Sequence, residues 1–174
     1  MTDRIRFVLD GQIKELRQVD PTLTVLNYLR GVERRCGTKE GCAEGDCGAC
    51  TVLLGERAGE GLRHRAVNAC ILFVAALDGK ALVTVESLRR PGGALHPVQR
   101  AMVECHASQC GFCTPGFVMS LVALYESEAL PQRQRIDDVL AGNLCRCTGY
   151  RPIVAAAQRA YGYGENRKTA DAAA

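Results

Sequence analysis

The sequence of 174 residues contains no tryptophan, and aromatic residues make up only 5% of it. Its net charge of +3 is too small to mark nucleic acid or an anionic membrane as the partner. Long hydrophobic runs are missing as well. The longest, Cys70 to Leu77, covers eight residues, against about 20 for a membrane-spanning helix. The N-terminal MTDRIRFVLDGQIKEL places charges at Asp3, Arg4, Arg6 and Asp10, which breaks the apolar core of any secretory signal. No Walker loop, G-x-S-x-G elbow or H-E-x-x-H motif occurs, so the chain has no visible catalytic apparatus of its own. These absences predict a soluble, cytoplasmic protein with neither a membrane nor a nucleic-acid partner.

Cysteine, by contrast, is abundant. Ten are present, and in a reducing compartment clustered cysteines more often bind metal or do redox work than form disulfides. The chain is long enough for one ordinary domain or two small ones.

Along the chain, Ile5, Phe7 and Leu9 alternate with polar residues, Asp10-Gly11 suits a two-residue hairpin turn, and Ile13 and Leu16 fall in the returning strand. Asp20-Pro21 with Thr22 or Thr24 starts a helix, carried by Val25, Leu26, Leu29 and Val32 to about Arg34. A glycine-rich stretch follows, then a strand at Thr51 to Leu54, an apolar helical segment from near Cys70, and a last strand over Ala81 to Glu86. This is an α+β pattern. Arg89-Arg90-Pro91-Gly92-Gly93 reads as a connection. Beyond it the pattern is helical over 96–106, 116–127, 135–141 and 152–161, and from Gly164 the tail is polar and aperiodic. The expected division is therefore 1–88, 94–163 and a tail or linker at 164–174.

Residues 36–50, CGTKEGCAEGDCGAC, concentrate four cysteines and four glycines. Cys42, Cys47 and Cys50 have four and then two intervening residues, and Cys70 follows after nineteen more. This is the C-x4-C-x2-C…C spacing of a plant-type [2Fe–2S] cluster. Glycines suit it, because backbone N–H groups must turn inward at the sulfurs; Gly41, Gly45 and Gly48 adjoin the candidate ligands. Zinc also takes four thiolates and is the rival occupant.

The second set is Cys110, Cys113, Cys145 and Cys147. The first two are about one helical turn apart, whereas the last two require an extended or irregular loop. The 31 residues between Cys113 and Cys145 fit a helix out, a turn at Leu130-Pro131-Gln132 and a helix back. Thr114 is then a candidate N-cap, with Pro115 and Pro152 in first turns. Helix N-termini suit an anionic cluster, although the spacing by itself leaves zinc a serious competitor.

Cys36 and Cys105 read as spectator thiols, and His64, His96 and His106 as surface or core residues without metal-spaced partners. Arg146 lies between two candidate ligands, where its charge would raise a cluster's potential or simply be solvated.

GTKEGCAEGDCGACTV at 37–52, NAC at 68–70, QCGFCTPG at 109–116 and NLCRCTGYRPI at 143–153 resemble the two-cluster iron–sulfur part of the molybdenum hydroxylases, in particular the xanthine dehydrogenase branch. LHPVQ at 95–99 and CTGYRPI at 147–153 resemble xanthine dehydrogenase and aldehyde oxidase more than the carbon monoxide dehydrogenase branch. The resemblance implies a β-grasp, plant-ferredoxin-like domain with one [2Fe–2S] cluster on Cys42, Cys47, Cys50 and Cys70. It implies a four-helix domain with a second on Cys110, Cys113, Cys145 and Cys147, and so favours iron–sulfur over zinc there. It further implies electron transfer from a molybdopterin centre through both clusters to FAD and then NAD+ or another acceptor, in purine oxidation. The FAD-binding and molybdopterin-binding parts would be partner chains or domains, in a complex that dimerises. By position, Gln109 would contact the molybdopterin in a partner, and Cys147 would lie nearest to it.

Overall fold

The computed structural model describes residues 4–59, 61–89 and 91–164. The fold is mixed α and β, and one five-stranded sheet organises it, in the order β2-β1-β5-β3-β4. Strands β1 (Arg4–Leu9) and β2 (Gln12–Arg17) pair antiparallel. Their turn residues Asp10 and Gly11 both have positive φ, 47° and 82°, as a type I′ turn requires. The Asp10 carboxylate then accepts hydrogen bonds from the Thr84 amide and hydroxyl, the Ser87 hydroxyl and Arg35.

Strand β3 (Thr51–Ala58) lies inside the sheet, paired antiparallel with β4 (Gly61–Asn68) and with β5 (Ala81–Val83). Its first five residues are buried, and the period of two in a strand sends them to opposite faces. Val52 and Leu54 join an apolar cluster with Phe7, Leu9, Leu26, Leu29, Val74 and Leu82. Leu53 joins a second cluster with Val98, Met102, Phe117, Met119, Ile136 and Ile153. The sheet thus has an apolar core on each side.

The second core is built by α2 (Pro97–Glu104), α3 (Thr114–Ser127), α4 (Arg133–Leu140) and α5 (Arg151–Tyr161). Among the described residues no helix is long and apolar enough to cross a membrane. His96 caps α2: its ring Nδ1 accepts from the Val98 amide, while Gln99 Oε1 accepts from the His96 amide.

Several sequence expectations are corrected. The helix expected to Arg34 is α1 (Val25–Asn27), capped by Thr24, the second of the two threonines at the expected start, and it widens into a π-helical turn at Tyr28–Val32. Tyr28 donates from there to Glu33, which also binds Lys14 on β2. The helical segment after Cys70 shrinks to a 3-10 turn at Val74–Leu77, and the last strand ends at Val83. Strand β4 has no counterpart in the sequence reading. In the expected connection at 89–93, Gly92 and Gly93 both have positive φ, and Arg90 lies outside the described residues. The tail from 165 onwards also lies outside them.

Candidate functional site

The 42–50 loop wraps its amides around sulfur. The amides of Glu44, Asp46 and Cys47 lie 3.5, 3.4 and 3.3 Å from Cys42 Sγ, and the Cys42 amide lies 3.3 Å from Cys47 Sγ. Such donors stabilise thiolate, and the Cys42 thiol falls to about 6, chiefly through the Cys47 amide and then those of Glu44 and Asp46. The curl depends on left-handed residues: Gly45 and Gly48 have φ of 85° and 68°, and so does the non-glycine Ala43 at 59°. Gly41 has a different role, since a Cβ there would stand 2.8 Å from Cys47 Sγ and 3.6 Å from the Phe112 ring.

Cys50 and Cys70 meet at the base of the β3–β4 hairpin. The register ends at the Thr51–Asn68 pair, and the Ala69 amide donates to the Cys50 carbonyl. Both thiols are buried. Burial, with the neighbouring Cys70 thiol adding to it, pushes the Cys50 thiol up to about 12. A neutral thiol is thus favoured unless a cation offsets the burial. Asn68 ties the hairpin to the loop by donating to the Gly45 carbonyl.

The second group lies at the entrances of α3 and α5. Cys147 Sγ is 3.6 Å from Cys110 Sγ, close to the roughly 3.8 Å between two thiolates bound about 2.3 Å from one tetrahedral metal. Cys113 faces Cys145; burial, followed by that thiol, pushes Cys113 up to about 12. Burial opposes ionisation of Cys145 too, but the Thr148 hydroxyl and amide donate to its sulfur and bring it below the ordinary thiol value. Tyr150 holds φ at 66° before α5, and its hydroxyl accepts from the Cys145 amide at 2.9 Å. A left-handed tyrosine costs conformational energy and marks a position set by its surroundings. Thr114 is the first residue of α3 rather than its cap, a place taken by Cys113; its hydroxyl pairs instead with Ser108. Pro115 and Pro152 do stand in first turns.

The eight candidate thiols therefore fall into four pairs: 42 with 47, 50 with 70, 110 with 147, and 113 with 145. Among the described residues no group of three or more His, Cys, Asp or Glu side chains could hold one metal ion. Two-by-two placement suits a cluster whose irons each take two thiolates and share sulfides, and does not suit a single zinc with four.

Cys36 is exposed and lies outside both groups; its carbonyl, with that of Thr38, accepts from Arg30. Cys105 ends α2. Gln109 and Arg146 are exposed beside Cys110 and Cys147. His64 on β4 reaches Glu126 on α3 at 2.8 Å, its ring lying against Gly55, and His106 has left-handed backbone at φ 49°.

Sequence reasoning missed the seam between the two loops. The Leu144 amide donates to the Cys47 carbonyl at 3.0 Å, and the Asn143 carboxamide donates to the Gly48 carbonyl at 3.0 Å. Gly116 on α3 is equally tight: a Cβ there would drive into the Gly48 carbonyl. The available signal is an asparagine just ahead of the CRC pair, with Gly116, which has no turn to make inside α3.

Comparison with known proteins gives two family matches along the chain. A 2Fe-2S iron-sulfur cluster binding domain matches residues 7–75, and a [2Fe-2S] binding domain matches residues 84–158. Xanthine dehydrogenase of Drosophila pseudoobscura pseudoobscura is 48% identical over 155 residues, which is 88% of this chain and 12% of that protein. Aldehyde oxidase 1 of Rattus norvegicus is 44% identical over 170 residues, 95% of this chain and 13% of that protein. The chain thus spans about an eighth of the length of these curated relatives. Among solved structures, a chain of quinoline 2-oxidoreductase from Pseudomonas putida 86 superposes with a TM-score of 0.82 at 30% identity, covering 95% of this chain and 97% of that one. Aldehyde oxidoreductase from Desulfovibrio gigas gives a TM-score of 0.82 at 34% identity, over 96% of this chain and 18% of that one. With two cluster-binding matches in tandem and a relative covered almost end to end, the chain belongs to the iron–sulfur components of the molybdenum hydroxylase family.

Proposed function

We propose that this chain is the electron-relaying iron–sulfur part of a xanthine-dehydrogenase-like molybdenum hydroxylase and is not catalytic by itself. Cys42, Cys47, Cys50 and Cys70 would hold one [2Fe–2S] cluster, and Cys110, Cys113, Cys145 and Cys147 the other, each close pair of thiols serving one iron. Each cluster, when bound, supplies a one-electron carrier. The order of transfer runs from a molybdopterin centre through the 110–147 site, then the 42–70 site, to FAD and on to NAD+ or another acceptor. The domain reading that goes with this is a β-grasp, ferredoxin-like unit over 1–88 and a four-helix unit over 94–163. The cluster-binding matches at 7–75 and 84–158 support it.

The observation that carries the relay is the hydrogen bond from the Leu144 amide to the Cys47 carbonyl. It links the residue before one candidate ligand to another candidate ligand of the opposite site. A need for partners is supported by the exposed apolar residues beside the candidate ligands: Ile71 after Cys70, Phe112 between Cys110 and Cys113, and Leu144 before Cys145. Water-exposed apolar groups so close to redox sites fit a surface that another chain or domain covers. Gln109, exposed and next in sequence to Cys110, would contact the molybdopterin in a partner.

The test is metal and sulfide analysis of the full protein with electron paramagnetic resonance of its reduced form. About four irons and four acid-labile sulfides per chain, with two distinct [2Fe–2S] signals, are expected. Zinc without sulfide would refute the reading. Turnover of hypoxanthine, as against aldehydes, tests the xanthine-dehydrogenase assignment.

A further inference from the structure

Asn143 is only 3% exposed, and a buried carboxamide destabilises the fold unless its acceptor and donors are matched. Here they are matched by three separate segments. Oδ1 accepts from the Ser120 hydroxyl of α3 at 2.7 Å, while Nδ2 donates to the Gly48 carbonyl at 3.0 Å and lies 3.5 Å from Thr51 Oγ1. The Gly48 carbonyl is itself fixed by the Thr51 amide at 3.2 Å and the Thr51 hydroxyl at 2.7 Å. One residue further on, the Leu144 amide holds the Cys47 carbonyl. Consecutive residues of the 143–147 loop therefore grip consecutive carbonyls of the 42–50 loop, one through its side chain and the next through its backbone.

We propose that Asn143 is a positioning residue that sets the separation of the two cluster sites and keeps the Leu144–Cys47 hydrogen bond formed. The inference rests on the relay reading above. An apolar residue of similar volume would fill the space, but it would strip Gly48 of a donor and leave Ser120 pointing at nothing. The Asn143 carboxamide is the side chain that joins α3, the 42–50 loop and the 143–147 loop at one point, and both electron tunnelling and the magnetic interaction of two reduced clusters weaken with distance.

The experiment compares the unsubstituted full protein with Asn143→Ala and Ser120→Ala. Iron and sulfide content, the two separate resonance signals, and the splitting that each reduced cluster imposes on the other at low temperature are measured. For Asn143→Ala the expected result is full iron content and both signals, with loss of the mutual splitting and slower electron redistribution between the clusters. Ser120→Ala removes only the hydroxyl that orients the amide. It should weaken the splitting in the same direction, and it decides the matter if Asn143→Ala does not load. Unchanged splitting in a fully loaded variant, with merely a lower melting temperature, would overturn the proposal. If the unsubstituted protein lacks two [2Fe–2S] signals, the relay reading itself fails, a result distinct from unchanged splitting.

Discussion

Gly116 and Gly48 meet backbone to backbone: a Cβ placed on Gly116 would overlap the Gly48 carbonyl oxygen and sit 3.2 Å from Ala49 Cα. The first turn of α3 thereby comes flush against the first sulfur loop. Substituting Gly116 with Ala should cost about 1–3 kcal/mol by overpacking against unyielding backbone. Gly142 has open space around it and no positive φ, so Gly142→Ala should stay within about 0.5 kcal/mol. Denaturant melts of the two variants check this, and equal stabilities would contradict the contact.

The pairing of thiols separates the eight candidate ligands from Cys36 and Cys105. Cys147→Ser removes the partner of Cys110 and is expected to lower iron from about four to about two per chain, leaving one resonance signal intact. In the full protein it should block reduction of flavin by substrate. Cys36→Ser and Cys105→Ser should leave iron content and both signals unchanged; iron loss in either would place it among the ligands.

His64 joins the sheet to the helices, and its pH response has a definite sign. The hydrogen bond to Glu126 raises the imidazole above its ordinary 6.5, with burial opposing. A raised folded-state value means that the stabilisation is fully present below about pH 6.5 and is lost as pH rises through the folded value. The stability difference between the native protein and His64→Gln should accordingly be largest in mild acid and shrink towards alkaline pH. A difference that grows with pH would rule this out.

The last turn of α5 is fastened differently. Hydrogen bonds from Arg100, then Tyr163 and Arg159, hold the Glu104 carboxyl down at about 2, and the Arg100 guanidinium lies 4.2 Å from the Tyr163 ring centroid. A depressed carboxyl stabilises above about pH 4.5, and the contribution disappears as pH falls through about 2. Glu104→Gln should melt earlier than the native protein at neutral pH and together with it near pH 2. Since the group is exposed, added salt should narrow the neutral-pH gap.

How much of this is legible in the sequence depends on the physics of each element. The eight candidate ligands fall into two groups of four from spacing alone, because a loop around sulfur tolerates few separations. The Asp10-Gly11 hairpin and the four later helices are legible from turn chemistry and periodicity, with ends displaced by one or two residues. Strand β4 is not. Its Leu62, Arg63, His64 and Arg65 show no apolar alternation, since it is an edge strand that β3 and α3 hold in place. The widening of α1 into a π turn is equally hidden; it is accompanied by the side-chain contact of Tyr28 with Glu33, which no periodicity announces. Asn143 shows in the sequence only by its place ahead of the CRC pair; its importance is created by Ser120 and Gly48, residues 23 and 95 positions away.

The β3–β4 hairpin also explains why two of the three intervals between candidate ligands in the first set are tight and one is wide. Cys50 precedes the strand that opens the hairpin and Cys70 follows the strand that closes it, with Thr51 facing Asn68 between them. The distal end, beyond the Ala58–Gly61 pair, is remote from the sulfurs. Growth or trimming there by a matched residue on each strand would change the interval between Cys50 and Cys70 along the chain by two while leaving their meeting point where it is. The wide interval is thus a free variable in descent, and a motif that insists on its length would overlook relatives with the same pair of thiols.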